Sequence, residues 1–266
     1  MKRHRIITYA IALLAIAIAF PAGAGATVTN ALFTFEPPVY SQDVLQGQGA
    51  AGETWKWTAN SVIFNVITNN IGWTVAETQT LEMKGAGPGY VPPGGWATKY
   101  LNVESRLTGG VEYLDFYLLP MNSSQRTSIY LDTPANNHGT GIMFGEDGHI
   151  KYYDGSTSFA DSGVVYSNGQ YRLTEKLDLD AGTYNIYLNS DPTPWRSGLG
   201  IYGGAVTPDN QLAAIEIYSG QGYSTDRSYL DNFVVTDVAP AFLIPEPASI
   251  VLLGLGVLAL LRRKLS

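Results

Sequence analysis

The segment YRLTEKLDLDAGTYNIYLN, residues 171–189, carries the pattern that decides the fold. In its first half, apolar and polar residues alternate with a period of two, which indicates a half-buried β-strand. The apolar face holds Tyr171, Leu173, Leu177 and Leu179, and the polar face holds Arg172, Thr174, Lys176, Asp178 and Asp180. The second half repeats the alternation, with Tyr184, Ile186 and Leu188 expected to point inward. The segment therefore predicts two successive strands.

Similar short strands separated by Gly, Pro, Asn and Asp run from about residue 31 to residue 238. The 29 glycines and 17 tyrosines suit many turns and pleated strands. Between the two chain ends, no segment has a convincing helical period. We predict an all-β fold, a two-sheet antiparallel β-sandwich (jelly roll) of about a dozen strands over residues 27–240, flanked by an N-terminal signal helix and a C-terminal hydrophobic helix.

The N-terminus has the build of a secretory signal peptide over residues 1–26. A basic start, MKRHR, precedes the apolar run from Ile6 to Phe20 and a small-residue A-x-A site. We predict cleavage after Ala26, where Ala24 and Ala26 are the two alanines of the A-x-A site. It implies passage through the secretion translocon and cutting by signal peptidase. The alternative is an uncleaved anchor helix, although the apolar run is short for a membrane span.

The C-terminal segment, residues 241–266, contains the tripeptide Pro245-Glu246-Pro247, an apolar run and a basic end. The fourteen residues 248–261 would form a helix of about 21 Å, shorter than the roughly 30 Å hydrocarbon core. The cluster Arg262, Arg263 and Lys264 favours the cytoplasmic side. This pattern predicts a short transmembrane helix that holds the chain at the inner membrane only transiently.

The same tail closely resembles the PEP-CTERM sorting signal of Gram-negative bacteria. Pro245, Glu246 and Pro247 match its signature, and Arg262, Arg263 and Lys264 match its basic stop. The resemblance implies that an exosortase-type membrane protease cuts near the tripeptide. The released protein would then reach the cell surface or the extracellular matrix.

The composition excludes several classes of protein. The chain has no cysteine, which excludes disulfides, thiolate catalysis and cysteine-ligated metals. Without its two ends it keeps 10 basic and 22 acidic residues, a formal charge of −12. Such a surface repels phosphate backbones, so we expect no nucleic-acid partner.

The core resembles the laminin-G-like or concanavalin-like jelly roll. The resemblance rests on the order of ALFTFEPPVYSQDVLQGQGA, GIMFGEDGHIKYYDG, GQYRLTEKLDLDAGTYNIYLN and RSYLDNFVV, and it covers roughly residues 30–236. It implies a binding architecture, often for carbohydrate, and no particular reaction. In related sugar-binding members, an acid after the first strand and an aspartate on the last strand share a structural calcium ion. Glu36 and Asp231 occupy those places, which suggests calcium as the one candidate cofactor.

Catalytic side chains are poorly represented. The E-x-D-x-x-E motif of laminarinase-like relatives is absent, because VEYLDFYLLP offers only Glu112 and Asp115, three residues apart and on opposite faces. His138 and His149 are interpreted as ordinary polar residues of turns. A serine elbow of the G-x-S-x-G type is also missing. The prediction is a protein that is not an enzyme.

Aromatic residues are the candidates for sugar binding. Trp96 and Trp195 lie in Pro/Gly-rich stretches, and Tyr152 and Tyr153 flank an Asp-Gly turn. The alternative is that these rings plug the ends of the sandwich. The leading hypothesis is an exported, non-enzymatic surface or biofilm-matrix protein that binds extracellular polysaccharide. The alternatives are a glycan-active hydrolase or lyase, and a purely structural surface protein.

Overall fold

The computed structural model confirms the all-β prediction. It describes residues 29–42, 45–49, 57–59, 63–69, 71, 73, 78–85, 95–100, 107–121, 126–133, 137–156, 158–202, 204, 211–220 and 226–243. Within these ranges, two antiparallel sheets of eight and seven strands face each other as a β-sandwich.

The larger sheet has the strand order β13-β12-β11-β6-β15-β4-β3, and β1 pairs separately with β15. Its members are β1 (Thr29–Phe33), β3 (Phe64–Thr68), β4 (Gln79–Lys84), β6 (Val111–Pro120), β11 (Tyr171–Asp178), β12 (Thr183–Leu188), β13 (Arg196–Gly200) and β15 (Arg227–Thr236). The smaller sheet has the order β10-β9-β8-β7-β14-β5-β2. Its members are β2 (Thr58–Ala59), β5 (Gly95–Tyr100), β7 (Thr127–Asp132), β8 (His138–Phe144), β9 (His149–Tyr153), β10 (Phe159–Val165) and β14 (Ala214–Ser219).

The segment 171–189 forms the adjacent strands β11 and β12, as its alternation predicts. Leu173, Leu177 and Ile186 are fully buried between the sheets. The same period places Glu175 on this apolar face, a consequence that the sequence reading passed over, and the side chain is 1% exposed. One large apolar cluster, which includes Phe116, fills the space between the sheets. Burial of this cluster is the main stabilising term of the fold.

The predictions for the two ends of the chain concern residues that the structure does not describe. This applies to the signal peptide with Ala24 and Ala26, and to the tail with Pro245, Glu246, Pro247, Arg262, Arg263 and Lys264. No helix within the described ranges is long and apolar enough to cross a membrane. The described chain ends in a 3₁₀ turn, Ala241–Leu243, whose Phe242 packs on Tyr187.

Candidate functional site

Glu36 and Asp231, the predicted calcium pair, lie towards the same end of strands β1 and β15. Phe33 pairs with Phe233 in antiparallel register, so the chain beyond Phe33 runs alongside the earlier residues of β15. The Glu36 carboxylate accepts hydrogen bonds from the Thr78 amide at 2.8 Å, the Gln79 amide at 2.9 Å and the Thr78 hydroxyl. Three donors therefore already compensate this carboxylate, which leaves it little capacity for a cation.

Two of the predicted aromatic residues meet at an open edge of the sandwich. Tyr152 in β9 and Trp195, just before β13, approach edge to face with their ring centroids 6.2 Å apart. The Arg196 guanidinium stacks on both rings and donates a hydrogen bond to the Ser162 carbonyl of β10 at 2.8 Å. This edge cluster, Tyr152, Trp195 and Arg196, joins the two sheets. The cluster serves to hold the two sheet edges together, because the Arg196 guanidinium donates its hydrogen bonds to carbonyl groups of the protein.

The other two predicted aromatic residues lie apart from this pair. Tyr153 is buried on the outer face of the smaller sheet, where it packs edge-on against Phe159 and His138. Trp96 is in β5 and pairs in register with Tyr218 of β14. The Trp96 side chain lies outside the described part of the structure. The four aromatic residues thus do not form one platform.

The interpretation of both histidines as turn residues is wrong. His138 begins β8 and His149 begins β9. His138 Nδ1 lies 2.8 Å from Asp132 Oδ1, and its ring stacks on Tyr130 with centroids 3.9 Å apart. The hydrogen bond to Asp132 raises the pKa of His138, and partial burial opposes the rise.

A set of polar side chains surrounds this histidine on the outer face of the smaller sheet. Glu216 of β14 offers a carboxylate oxygen to the same group as Asp132 and His138. We call these three residues the acid–histidine cluster. Arg126 lies beside it, donating to the hydroxyls of Ser128 and Tyr130 at 3.4 and 3.3 Å. Sequence reasoning missed the cluster because Glu216 is far from Asp132 and His138 in the chain and is brought beside them only by the pairing of β14 with β7.

The two carboxylates of VEYLDFYLLP, Glu112 and Asp115, lie on opposite faces of β6, as their spacing predicts. Asp115 of β6 binds the Arg172 guanidinium, with Oδ2 2.7 Å from Nη2, and accepts a hydrogen bond from Thr174 at 2.6 Å. Glu175 is a second buried acid, and it faces the core, where the Thr140 hydroxyl donates to it at 2.6 Å. Burial raises the pKa of Glu175 to about 7, against the lowering effect of that hydrogen bond. Neither Asp115 nor Glu175 lines the open groove that the described residues form.

An open groove of about 520 Å³ lies on the outer face of the larger sheet, over β3, β4 and β15. Its polar lining consists of Gln42, Asn65, Thr68, Glu82 and Lys84, and Ile67 and Tyr229 add apolar surface. Asn65 and Tyr229 both pair in register with Glu82, so the three residues form a row across the strands. We call this feature the β3–β4–β15 groove.

The Glu82 carboxylate is the charged centre of the groove. It is held by Lys84 at 3.2 Å and by Arg227 at 3.3 Å. Among the described residues, none bonds to the side-chain amides of Gln42 and Asn65, so both groups remain available to a ligand. No sequence pattern predicts this groove, since Asn65 and Tyr229 are distant in the chain and become neighbours only through strand pairing.

The fold defines the chain as a β-sandwich of the kind found in toxin binding domains. The receptor-binding domain of botulinum neurotoxin mosaic serotype C/D is 13% identical with a TM-score of 0.51, over 85% of this chain and 50% of that chain. The structure of botulinum neurotoxin type C, whose cell entry depends on two ganglioside molecules, is 12% identical with a TM-score of 0.51, over 81% and 49%. The serotype D binding domain gives 13% identity and a TM-score of 0.50, over 86% and 51%. The chain spans about half the length of these proteins, and at such identities the likeness shows the fold alone.

The tail supplies the more particular assignment. Residues 243–264 match the PEP-CTERM protein-sorting motif, which indicates export to the surface or the extracellular space. This confirms the resemblance found from Pro245, Glu246 and Pro247. No curated protein matches the sequence.

Proposed function

We propose that the protein is an exported, non-enzymatic glycan-binding protein of the cell surface or the biofilm matrix, and that it binds polysaccharide in the β3–β4–β15 groove. The observation that carries the proposal is the polar lining of that groove, with two amide side chains that no described residue engages. Sugar hydroxyls pair with amides and carboxylates, and an open volume of about 520 Å³ falls within the size range of small-ligand sites. Translocon, signal peptidase and exosortase are the proposed partners of its export.

The fold supports the same conclusion at a coarser level. The similar toxin domains are binding domains, and one is described as acting through gangliosides. The edge cluster is the competing sugar site, because Trp195 is half-buried and lies beside Arg196. We prefer the groove, since both Arg196 hydrogen bonds go to backbone carbonyls of the protein itself.

A glycan array probed with the purified full-length chain tests the proposal. We expect binding to at least one polysaccharide class, and a loss of about tenfold or more in affinity for Asn65→Ala and Lys84→Ala, because the sugar hydroxyls that bond to these side chains would lose their partners. Ser197→Ala, an exposed residue of β13, is the matched control and should bind normally.

Three results would contradict parts of this proposal. Binding that survives both groove variants and disappears in Trp195→Ala, with the melting temperature retained, would place the sugar at the edge cluster. Release of reducing ends from a bound polysaccharide would make the protein an enzyme. Failure to bind any glycan would leave the structural role as the surviving hypothesis.

Structural calcium at Glu36 and Asp231 stays a separate prediction. The hydrogen bonds from Thr78 and Gln79 already stabilise the Glu36 carboxylate, so we expect any contribution of calcium to be small. A calcium-selective chelator should lower the melting temperature of the wild-type chain and have no effect on Glu36→Gln. An unchanged melting temperature in the wild type would refute the calcium site.

A further inference from the structure

The acid–histidine cluster is unrelated to the groove and lies on the opposite sheet. Asp132, His138 and Glu216 each offer one ligand atom, and these atoms lie within 4.8 Å of one another. Carboxylate oxygen and imidazole nitrogen are ligands of divalent transition metals. The cluster thus has the composition of a three-ligand metal site.

Strand pairing brings the three residues together on one face. Asp132 of β7 pairs with His138 of β8 on one side and with Ala214 of β14 on the other. Glu216 lies two residues beyond Ala214 and therefore on the same face of β14. Three neighbouring central strands hold the ligands, which is a more rigid support than loops would give.

Asp132 supplies the independent indication that something binds here. Its side chain is fully buried, and its Oδ2 has no hydrogen-bond partner among the described residues. A buried carboxylate oxygen without a partner is costly, because it loses its hydration and gains nothing in return. A cation coordinated by this carboxylate would remove that cost.

His138 connects the buried carboxylate to solvent. Its side chain is 34% exposed, and stacking on Tyr130 fixes the plane of the ring. The 2.8 Å contact between His138 Nδ1 and Asp132 Oδ1 is a hydrogen bond. Ligand atoms of a tetrahedral Zn²⁺ site lie about 3.3 Å apart, so an ion that replaces the shared proton needs only a small movement of these two side chains.

We propose that Asp132, His138 and Glu216 bind one divalent transition-metal ion of the Zn²⁺ type, with water in the remaining coordination positions. The imidazole ligand disfavours Ca²⁺ and Mg²⁺, which prefer oxygen, and the lack of thiolates disfavours Cu⁺. Bound metal would neutralise the two carboxylates and cross-link β7, β8 and β14.

A second group, Asp147, His149 and Asp161, provides the matched control. It likewise has two carboxylates and one histidine, but Asp147 and Asp161 are exposed, and Lys151 Nζ already pairs with Asp147 at 2.5 Å. Exposed carboxylates keep their hydration, so this group has no buried charge that requires a metal.

Calorimetric titration of ZnCl₂ into the chelator-stripped full-length chain tests the proposal. We expect one ion per chain, and about tenfold or more weaker binding in His138→Ala and in Glu216→Gln, with His149→Ala binding as tightly as the wild type. CoCl₂ in place of ZnCl₂ should give the d–d absorption of a nitrogen- and oxygen-ligated ion, and His138→Ala should lose that spectrum.

Each alternative result has a definite meaning. No heat of binding in the folded wild type would overturn the proposal, and so would Zn²⁺ binding that is unchanged in both cluster variants. Binding lost in His149→Ala and retained in His138→Ala would move the site to the exposed group. Circular dichroism and melting temperature establish that each variant is folded, and Glu216→Gln keeps the test valid if His138→Ala is unstable.

Discussion

Glu175 lies in β11 between Leu173 and Leu177 and points into the core, where the Thr140 hydroxyl is its hydrogen-bond donor. Burial in apolar surroundings raises its pKa from 4.5 to about 7. The folded protein therefore keeps this proton at pH values where the unfolded chain has lost it. Between those two pKa values, stability falls as the pH rises, because the folded state binds more protons than the unfolded state.

Glu175→Gln should remove this dependence. Between pH 5 and pH 8, the free energy of unfolding of the wild type should fall relative to that of the variant by about 2.5 kcal/mol. Urea denaturation at several pH values measures the difference. Glu146→Gln, at an exposed position, should follow the wild-type slope. Parallel pH profiles for wild type and Glu175→Gln would show that Glu175 is ionised in the core.

Asp115 illustrates how burial sets the value of an ion pair. Its side chain is 14% exposed and that of Arg172 is 22% exposed, and the guanidinium binds both carboxylate oxygens. The distance between His149 Nδ1 and Asp161 Oδ2 is similar, 2.8 Å, but the Asp161 side chain is 48% exposed. Water competes for the second pair and much less for the first.

Asp115→Asn should accordingly lower the free energy of unfolding by about 1–3 kcal/mol, because Arg172 is left without its charge partner. Asp161→Asn should leave it unchanged. Chemical denaturation of both variants at neutral pH makes the comparison. Equal losses in the two variants would contradict the role given to burial.

At the scale of elements, the turn after β9 of one sheet lies against the backbone of β13 of the other at one edge of the sandwich. Gly155, in the turn after β9, has a φ of +84°, and a Cβ there would lie 2.9 Å from the Gly200 carbonyl oxygen of β13. The edge cluster of Tyr152, Trp195 and Arg196 spans the same edge. Backbone contact and side-chain stacking thus close the sandwich together.

Gly155→Ala should destabilise the protein by about 2–4 kcal/mol, because it adds a backbone clash to a left-handed conformation. Gly163→Ala is the control, since Gly163 has a φ of +71° with open space around it. That variant should lose only the conformational part, about 1–2 kcal/mol. Thermal unfolding of both proteins separates the two effects, and identical losses would exclude the clash.

At the scale of the whole molecule, the sandwich and the sorting tail have different tasks. The sandwich carries the two proposed binding sites, one on each sheet, and residues 243–264 match the PEP-CTERM motif, which indicates export. The described chain reaches Leu243 through Phe242, which packs on Tyr187 and under the Arg172 guanidinium. Leu243, the first residue of the matched motif and the last described residue, therefore lies next to the folded domain.

Intact-mass analysis of the protein from its native host tests the processing. We expect a C-terminus near Pro247 and an N-terminus at Thr27. Replacement of Pro245, Glu246 and Pro247 by alanine should retain Ser266, because the protease would lose its recognition sequence. A wild-type protein that still ends at Ser266 would instead indicate a permanent tail anchor.

The sequence alone determined the fold class and the sorting route of this protein. The period-two pattern around Leu173 and Leu177 follows directly from strand geometry, and the tail motif is a contiguous stretch that needs no folding to be read. The same period of two also places Glu175 on the buried face of β11.

Only the tertiary structure decided which side chains form sites. Asp132, His138 and Glu216 are separated by up to 84 positions, and Asn65 and Tyr229 by 164, so no local pattern connects them. Strand order and register place them side by side, and both depend on the packing of the whole core. The same packing brings Tyr152 and Trp195 into contact, because the edges of their two sheets meet there. Tyr153 points to the other face of β9, and Trp96 belongs to β5, four strands away from β9.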